Sequence, residues 1–184
     1  MGMLNQSDFV WPQVLYYFTD VNVVIEIQIS NRQTMELDER LLHEAVERVL
    51  VGERITAATV SLALVDDATM RELNRRYLAH DYATDVLSFL LDEEETPWEG
   101  EVIVSVETAA RNSARYGLPL MQELLLYVIH GTLHLTGHED ADESGRARMR
   151  GCEASYLAEL GFDHSSHNVD ASPALEEISS DEVD

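Results

Sequence analysis

A short segment late in the chain, HGTLHLTGHED (130–140), has the residue types of a metal site. His130 and His134 are four residues apart, so on a helix both imidazoles leave the same face one turn apart. That separation suits two ligands of one zinc ion. Two core histidines satisfied by hydrogen bonds are the alternative, but a pair on an otherwise apolar helix favours the metal site.

Three residues beyond the turn at Gly137 could supply a third ligand: His138, Glu139 and Asp140. Histidine is the commoner ligand, but His138 follows the turn directly and has little chain with which to reach back. Asp140 has two more residues of reach, and two histidines with one carboxylate form an accepted ligand set for catalytic zinc. Spacing favours Asp140 only slightly and leaves the choice open.

Gly131 occupies the position where zinc proteases of the HExxH type carry their general base, a glutamate. A protease mechanism of that type therefore lacks its base in this chain. A glycine inside a helix costs about 1 kcal/mol relative to alanine, so its presence predicts a steric cause. We expect a strand or a substrate to pass close to Gly131.

Periodicity around this segment predicts alternating strands and helices that could position it. Strands are predicted at 23–29, 58–65, 85–91 and 100–106, and helices at 37–50, 67–78, 107–117, 121–135 and 142–160. The helix that carries the two histidines is apolar almost all the way round, so we expect it to be buried at the centre. The order of elements favours a small α/β or α+β sheet covered by helices.

The composition is that of an acidic chain without a membrane segment. The longest apolar runs are broken by charge before the roughly 18 residues that a membrane span needs, and no signal peptide is evident at the N-terminus. The single cysteine, Cys152, rules out an internal disulfide and suits a reducing compartment. We therefore expect a cytoplasmic protein.

The formal charge of −23 constrains any nucleic-acid partner, because only a local basic patch could meet it. All 12 basic residues are arginine, whose planar fork suits phosphate. They fall mainly in three clusters, Arg71/Arg75/Arg76, Arg111/Arg115 and Arg146/Arg148/Arg150. Most of them are expected to be salt-bridge partners for the surplus of carboxylates.

The histidine segment resembles the signature of the YbeY family of bacterial rRNA maturation factors and endoribonucleases, H-G-x-L-H-L-x-G-[YH]-D-H. Two further blocks follow in family order: LNRRYLAHDYATDVLSF (73–89) and GEVIVSVETA (100–109). The resemblance covers about 22–162, which we take as the single domain. It leaves an N-terminal extension at 1–21 and an acidic tail at 163–184, which its composition predicts to be disordered.

This resemblance implies a single small α+β domain with a central mixed four-stranded sheet, covered by helices, and a metal site on the buried central helix. It implies a metal-dependent hydrolase that holds one zinc ion, or another divalent transition metal, per chain. This enzyme would cut single-stranded RNA in maturation of small-subunit ribosomal RNA and in ribosome quality control. The metal ligands would be His130, His134 and Asp140. The implied partners are single-stranded RNA, ribosomal RNA and the small ribosomal subunit, with no membrane partner.

The chain departs from the family pattern in two places. The third ligand, usually histidine, falls on Asp140, and His138 corresponds to the Tyr/His position before it, which is not a ligand. The family arginine that follows the tyrosine of the second block is replaced by Leu78, after Tyr77. Other residues are therefore expected near the RNA cleft: Arg75, Arg76 and Ser88 as nucleic-acid contacts, with Thr84 and Asp85 shaping the cleft. No residue is assigned to proton transfer.

Two other functions fit parts of the same pattern. One is a metal-dependent hydrolase of a non-RNA substrate. The acidic charge of the chain favours this function mildly, but Gly131 disfavours a protease. The other is a ribosome-assembly factor without enzymatic activity whose metal is structural. The number of protein ligands separates them, since a closed four-ligand site indicates a structural metal and an open position a catalytic one.

Overall fold

The computed structural model describes residues 23–92 and 97–162. The strands are β1 (Val24–Asn31), β2 (Ala57–Val65), β3 (Val86–Asp92) and β4 (Trp98–Ser105), and the helices are α1 (Glu39–Gly52), α2 (Asp67–Leu78), α3 (Val106–Tyr116), α4 (Leu120–Leu135) and α5 (Glu143–Glu159). All nine predicted elements are confirmed, with their ends shifted by two residues at most. The predicted extension at 1–21 and the predicted tail at 163–184 lie outside the described residues.

The strands form one mixed four-stranded sheet in the order β1-β2-β4-β3. β1 pairs with β2 and β2 with β4 in parallel, whereas β3 pairs with β4 antiparallel. The antiparallel pair runs from Val86 opposite Val104 to Leu90 opposite Gly100, with an irregularity just beyond it. The predicted α+β class and mixed four-stranded sheet are therefore confirmed.

Helices cover both faces of the sheet because the central strands are apolar on both sides. In β2, Val60, Leu62 and Leu64 are fully buried against the main core with α1 and α4. The opposite face forms a smaller cluster around Met70 of α2 and Ile103 of β4. The last four residues of β4 are accordingly all buried, as expected of a strand that is covered on both faces.

Helix α4 lies at the centre of the domain. Most of its residues are buried, and it contacts α1, α3, α5, β3 and β4. A helix that is apolar nearly all round is stable only in such a position. The prediction of a buried central helix is confirmed.

Side-chain caps fix where the other helices begin. Asp38, Asp66, Ser105 and Asp142 each accept a hydrogen bond from a backbone N–H in the first turn of α1, α2, α3 and α5, respectively. Such caps satisfy N–H groups that have no partner within the helix. Within 23–92 and 97–162, no helix has both the length and the apolar character required to cross a bilayer.

Candidate metal centre

His130 and His134 lie on one face of α4, with their ring centroids 4.6 Å apart. Their Nε2 atoms face each other at 3.0 Å. Both side chains remain partly accessible, at 26% and 31%. The sequence spacing therefore brings the two imidazoles together as predicted.

Asp140 reaches these histidines by way of a tight turn at the end of α4. Gly137 has φ of 91°, and the His138 N–H donates to the Leu133 carbonyl while the Gly137 N–H donates to that of His134. This pair of bonds is the Schellman motif, which reverses the chain through a left-handed residue and favours glycine there. The turn directs the following residues back towards the exposed face of the helix.

The Asp140 carboxylate completes a three-residue cluster. Its Oδ2 lies 3.9 Å from His130 Nε2 and its Oδ1 lies 3.9 Å from His134 Nε2. One ligand atom from each residue lies within 4.8 Å of the other two. Zinc–ligand bonds of about 2.0–2.1 Å in a tetrahedron separate the ligand atoms by about 3.3 Å, so the observed separations of 3.0 and 3.9 Å bracket the required value.

The hydrogen bonds on the far side of each ring set which nitrogen faces the cluster. His130 Nδ1–H donates to Glu153 Oε1 at 2.6 Å, and His134 Nδ1–H donates to the His138 carbonyl at 2.9 Å. Each Nε2 is then left with a lone pair that points into the cluster. Two lone pairs and a carboxylate that face one another repel, and a cation bound between them removes this repulsion.

The protonation behaviour of the two rings differs. Burial alone would lower the pKa of His130, but the hydrogen bond to Glu153 and the neighbouring carboxylate charges outweigh it and raise that pKa. Burial and the adjacent His130 ring lower the pKa of His134. Asp85, which directly precedes β3, is one of the carboxylates whose charge acts on His130. His130 therefore takes up a further proton more readily than His134 does.

His138 is held away from the cluster. Its Nε2 donates to Glu53 Oε2 at 3.0 Å, and Tyr156 Oη donates to the other oxygen of Glu53 at 2.8 Å. In the part of the chain that the structure describes, the group that could hold a metal contains Asp140 and neither His138 nor Glu139. The geometry therefore favours the same third ligand as the family register does.

Gly131 lies where α4 crosses the sheet. A Cβ added there would come within 2.8 Å of side-chain atoms of Val86, Ser88 and Val102. The prediction that a strand passes close to this glycine is confirmed. No glutamate fits at this position, so the site has no base of the HExxH type.

The remaining predicted site residues lie on α2 and around β3. Arg75 and Arg76 are exposed in the last turn of α2, and Leu78 is 48% exposed beside them. Ser88 is half-buried on β3 against Gly131 of α4, which is a packing contact. Their contacts with RNA remain a prediction.

Thr84 and Asp85 directly precede β3. Asp85 Oδ1 accepts hydrogen bonds from Thr84 Oγ1 and from the backbone N–H of Val86, each at 2.9 Å. These bonds fix a carboxylate within electrostatic reach of His130. The predicted role of these two residues in shaping a cleft is consistent with this position.

Sequence reasoning missed Glu153, Glu53 and Tyr156. Glu153 is only 7% exposed although it is charged. A signal for it was present, because Glu153 shares a helical face with the buried Met149 and Leu157, four residues to either side. A carboxylate on an apolar face needs a polar partner, and here that partner is His130.

Three partly accessible ligand candidates and no fourth protein ligand among the described residues form an open site. Catalytic zinc sites keep such an open position, whereas structural sites are closed by four protein ligands. The arrangement can therefore bind a divalent ion and leave room for a substrate oxygen.

Comparisons of this chain with a family model, with named relatives and with a solved structure agree with one another. The family model described as Endoribonuclease YbeY matches residues 24–165. A relative named Endoribonuclease YbeY from Rhodopirellula baltica is 40% identical over 145 residues, which cover 77% of this chain and 75% of the relative. Another of that name, from Chloroherpeton thalassium, is 39% identical over 140 residues, covering 76% and 98%. The solution structure of TM1509 from Thermotoga maritima has a TM-score of 0.52 and 28% identity, and covers 82% of this chain and 99% of that one.

Proposed function

Because this chain belongs to the YbeY family of endoribonucleases, we propose that it cleaves single-stranded RNA at a metal held by His130, His134 and Asp140. The substrate in the cell is ribosomal RNA, during maturation of the small subunit and in ribosome quality control, and the protein meets it in the cytoplasm. The single observation that carries the proposal is the open cluster of two Nε2 atoms and a carboxylate within 4.8 Å.

The ion that best fits this cluster is zinc. Two imidazoles and one carboxylate are ligands that zinc accepts in catalytic sites. When bound, such an ion lowers the pKa of a coordinated water and offsets charge on the scissile phosphate. Another divalent transition metal can occupy the same ligands, since the other first-row divalent ions also bind nitrogen and oxygen ligands, with an affinity that rises from manganese to copper and falls at zinc.

The residues of the chain supply orientation and charge. Glu153 and the His138 carbonyl hold the two rings so that Nε2 of each faces the cluster. Asp140 contributes a negative charge where the family usually has a neutral imidazole, so the site is less positive. A less positive site acidifies a bound water less, and the pH optimum for cleavage is expected to lie higher than with histidine at this position.

The two alternative functions are less well supported. A protease of the HExxH type is disfavoured because Gly131 leaves no room for the glutamate base. A structural metal is disfavoured because the described residues offer three ligand candidates with partial exposure and no fourth. Family membership favours RNA over other substrates of a metal-dependent hydrolase.

The test is incubation of the full chain with ribosomal RNA and with a labelled single-stranded RNA, with and without a metal chelator. We expect cleavage that the chelator abolishes and that His134→Ala lacks. The matched control is His43→Ala, which removes an exposed histidine of α1 and is expected to cleave as the wild type does. Cleavage that survives in the His134→Ala protein or in chelator would contradict the proposal.

A further inference from the structure

The end of α2 and the segment that follows it present exposed rings that take no part in the metal centre. We call Tyr77, His80 and Tyr82, together with Arg75 and Arg76, the aromatic patch. Tyr77 is 55% exposed and Tyr82 is 57% exposed. Tyrosines in a folded domain usually bury more of their ring, so two that expose more than half of their surface within six residues indicate a contact surface.

The rings of the aromatic patch are already arranged face to face or edge to face. His80 and Tyr82 stack with ring centroids 5.4 Å apart and an interplanar angle of 13°. The ring centroids of Tyr77 and Phe89 of β3 are 5.2 Å apart, and the Arg76 guanidinium lies over the Tyr77 ring, 5.5 Å from its centroid. Beside these contacts, Tyr77 and Tyr82 keep more than half of their surface exposed.

Buried and paired groups hold the segment in place. Asn74, which is 1% exposed, donates through Nδ2 to the Tyr82 carbonyl at 2.8 Å. Arg71 donates to both carboxylate oxygens of Asp81, at 2.8 and 2.7 Å. Ala79 takes a left-handed conformation, φ 60°, that turns the chain after α2. The exposed rings are therefore presented on a fixed scaffold, which lowers the entropy lost when they bind a ligand.

The charge of the aromatic patch is opposite to that of the chain as a whole. Arg75 and Arg76 are exposed, and within 23–92 and 97–162 neither forms an ion pair, because Arg71 takes the nearby Asp81. Two unpaired guanidinium groups on a chain of net charge −23 make a local site for phosphate. Arginine forks match phosphate geometry.

The aromatic patch adjoins the metal centre along the chain. Tyr82 precedes Asp85 by three residues, and three extended residues span about 10 Å at most. Val86, which follows Asp85, lies against Gly131, and Gly131 is the neighbour of His130 in α4. A single strand of several nucleotides can therefore contact both places, since such strands occupy about 4–16 nucleotides on a binding domain.

We propose that the aromatic patch is a stacking platform for the bases of single-stranded RNA, with Arg75 and Arg76 on the adjacent phosphates. The proposal rests on the proposed function and adds the surface that holds the substrate. Because every base has an aromatic face, such a platform binds single strands with little regard to sequence.

The test is binding of a labelled single-stranded RNA of about 12 nucleotides, within the usual site size, to the full zinc-loaded chain, read by fluorescence anisotropy in the cold before cleavage proceeds. We expect Tyr82→Leu and Tyr77→Leu each to weaken binding about tenfold, as loss of one stacked base does. Tyr82→Phe keeps the ring and is expected to bind as the wild type does. Zinc content is expected to be unchanged in all three.

Two controls isolate stacking from charge and from folding. An oligonucleotide of the same length without bases is expected to bind weakly and equally to wild type and Tyr82→Leu. The matched tyrosine is Tyr116 of α3, which also lies beside an arginine, with the Arg115 guanidinium 5.6 Å from its ring. Tyr116→Leu is expected to leave RNA binding unchanged.

The outcomes separate this proposal from the proposed function. Wild-type affinity in Tyr82→Leu and Tyr77→Leu, with normal RNA cleavage, would overturn the stacking platform alone. A wild-type chain that neither binds nor cleaves the RNA would overturn the proposed function as well. Self-association of the wild type that Tyr82→Leu abolishes, with RNA affinity unchanged, would assign the aromatic patch to a second copy of the chain and also overturn the platform.

Discussion

Asp140 is the proposed third ligand of the metal centre, beside His130 and His134. Its carboxylate lies 3.9 Å from the Nε2 atoms of His130 and His134, whereas the His138 ring is bonded to Glu53. Sequence spacing alone left the third ligand undecided among His138, Glu139 and Asp140. Local spacing could not decide between them, because the choice depends on the direction of the turn at Gly137 and on Glu53, a residue more than 80 positions away.

Substitution of each candidate by alanine distinguishes their roles. We expect Asp140→Ala to lose most of its zinc, because the two histidines alone form an incomplete site. His138→Ala is expected to keep its zinc, because only the backbone carbonyl of His138 contacts a ligand. Metal content of the purified proteins after dialysis measures both, and the reverse pattern would move the third ligand to His138.

Glu153 is a positioning residue, because it acts on the metal through the His130 ring. Glu153→Gln keeps the shape but weakens the charge-assisted bond to Nδ1, so we expect zinc affinity to fall about 10- to 100-fold. Competition with a chelating dye measures that affinity. Glu159→Gln on the same helix removes an exposed carboxylate that pairs with Arg48 at 3.6 Å and is expected to leave the affinity unchanged. Equal affinities in the two variants would remove Glu153 from the site.

At the scale of elements, the sequence predicted each helix and strand well because the periodic apolar pattern and the caps are local signals. Helix α2 matches its predicted range, 67–78, since Asp66 caps its first turn. The same local signals could not predict the order of the strands in the sheet. That β3 lies antiparallel at the edge beside β4 depends on pairing between strands, which the strand sequences alone do not encode.

The contact between α4 and the sheet at Gly131 can be tested by a single methyl group. Gly131→Ala places a Cβ within 2.8 Å of three side chains. Overpacking costs about 1–3 kcal/mol, so we expect the free energy of unfolding to fall despite the better helix propensity of alanine. Urea unfolding measures the change.

Gly151 provides the matched control for this substitution. It lies in α5 with nothing within 4 Å of an added Cβ. Gly151→Ala is therefore expected to stabilise the domain by up to about 1 kcal/mol. If Gly131→Ala proved as stable as Gly151→Ala, the close approach of α4 to the strands would be wrong.

Asp67 joins α2 to β4 and α3. Its Oδ1 accepts hydrogen bonds from Ser105 Oγ at 2.5 Å and Thr108 Oγ1 at 2.8 Å, and its Oδ2 pairs with Arg111. Burial opposes ionisation, but these hydrogen bonds and the charge of Arg111 outweigh it and lower the pKa of Asp67 below its ordinary value of 3.8.

A carboxylate with a lowered pKa contributes stability that is full above the unfolded value and is lost as pH falls through the folded value. Asp67→Asn is therefore expected to be less stable than wild type at pH 7, with the difference narrowing only as the pH falls below about 4. Glu72→Gln, also on α2 and exposed, is the matched control and is expected to change the stability at pH 7 little, as surface substitutions usually do. Thermal unfolding across pH measures both, and a constant gap between wild type and Asp67→Asn down to the most acid pH would contradict this assignment.

At the scale of the whole molecule, the net charge of −23 opposes the RNA binding that is proposed for this chain. The arginines at the end of α2, beside exposed rings, form a local basic site on this acidic chain. Composition alone predicted that a local patch was needed. It could not show which arginines are paired, because the pairs depend on the fold: Arg111 pairs with Asp67, 44 positions away, and Arg71 pairs with Asp81 across the turn after α2.

The most direct test of the account is the rate of single-stranded RNA cleavage as a function of free zinc, for wild type, Asp140→Ala and Asp140→His. We expect cleavage by wild type and by Asp140→His to rise with zinc and saturate, because each has three ligands, and Asp140→Ala to remain inactive over the same range. Asp140→Ala that cleaves like the wild type at equal zinc would contradict a catalytic metal centre of His130, His134 and Asp140.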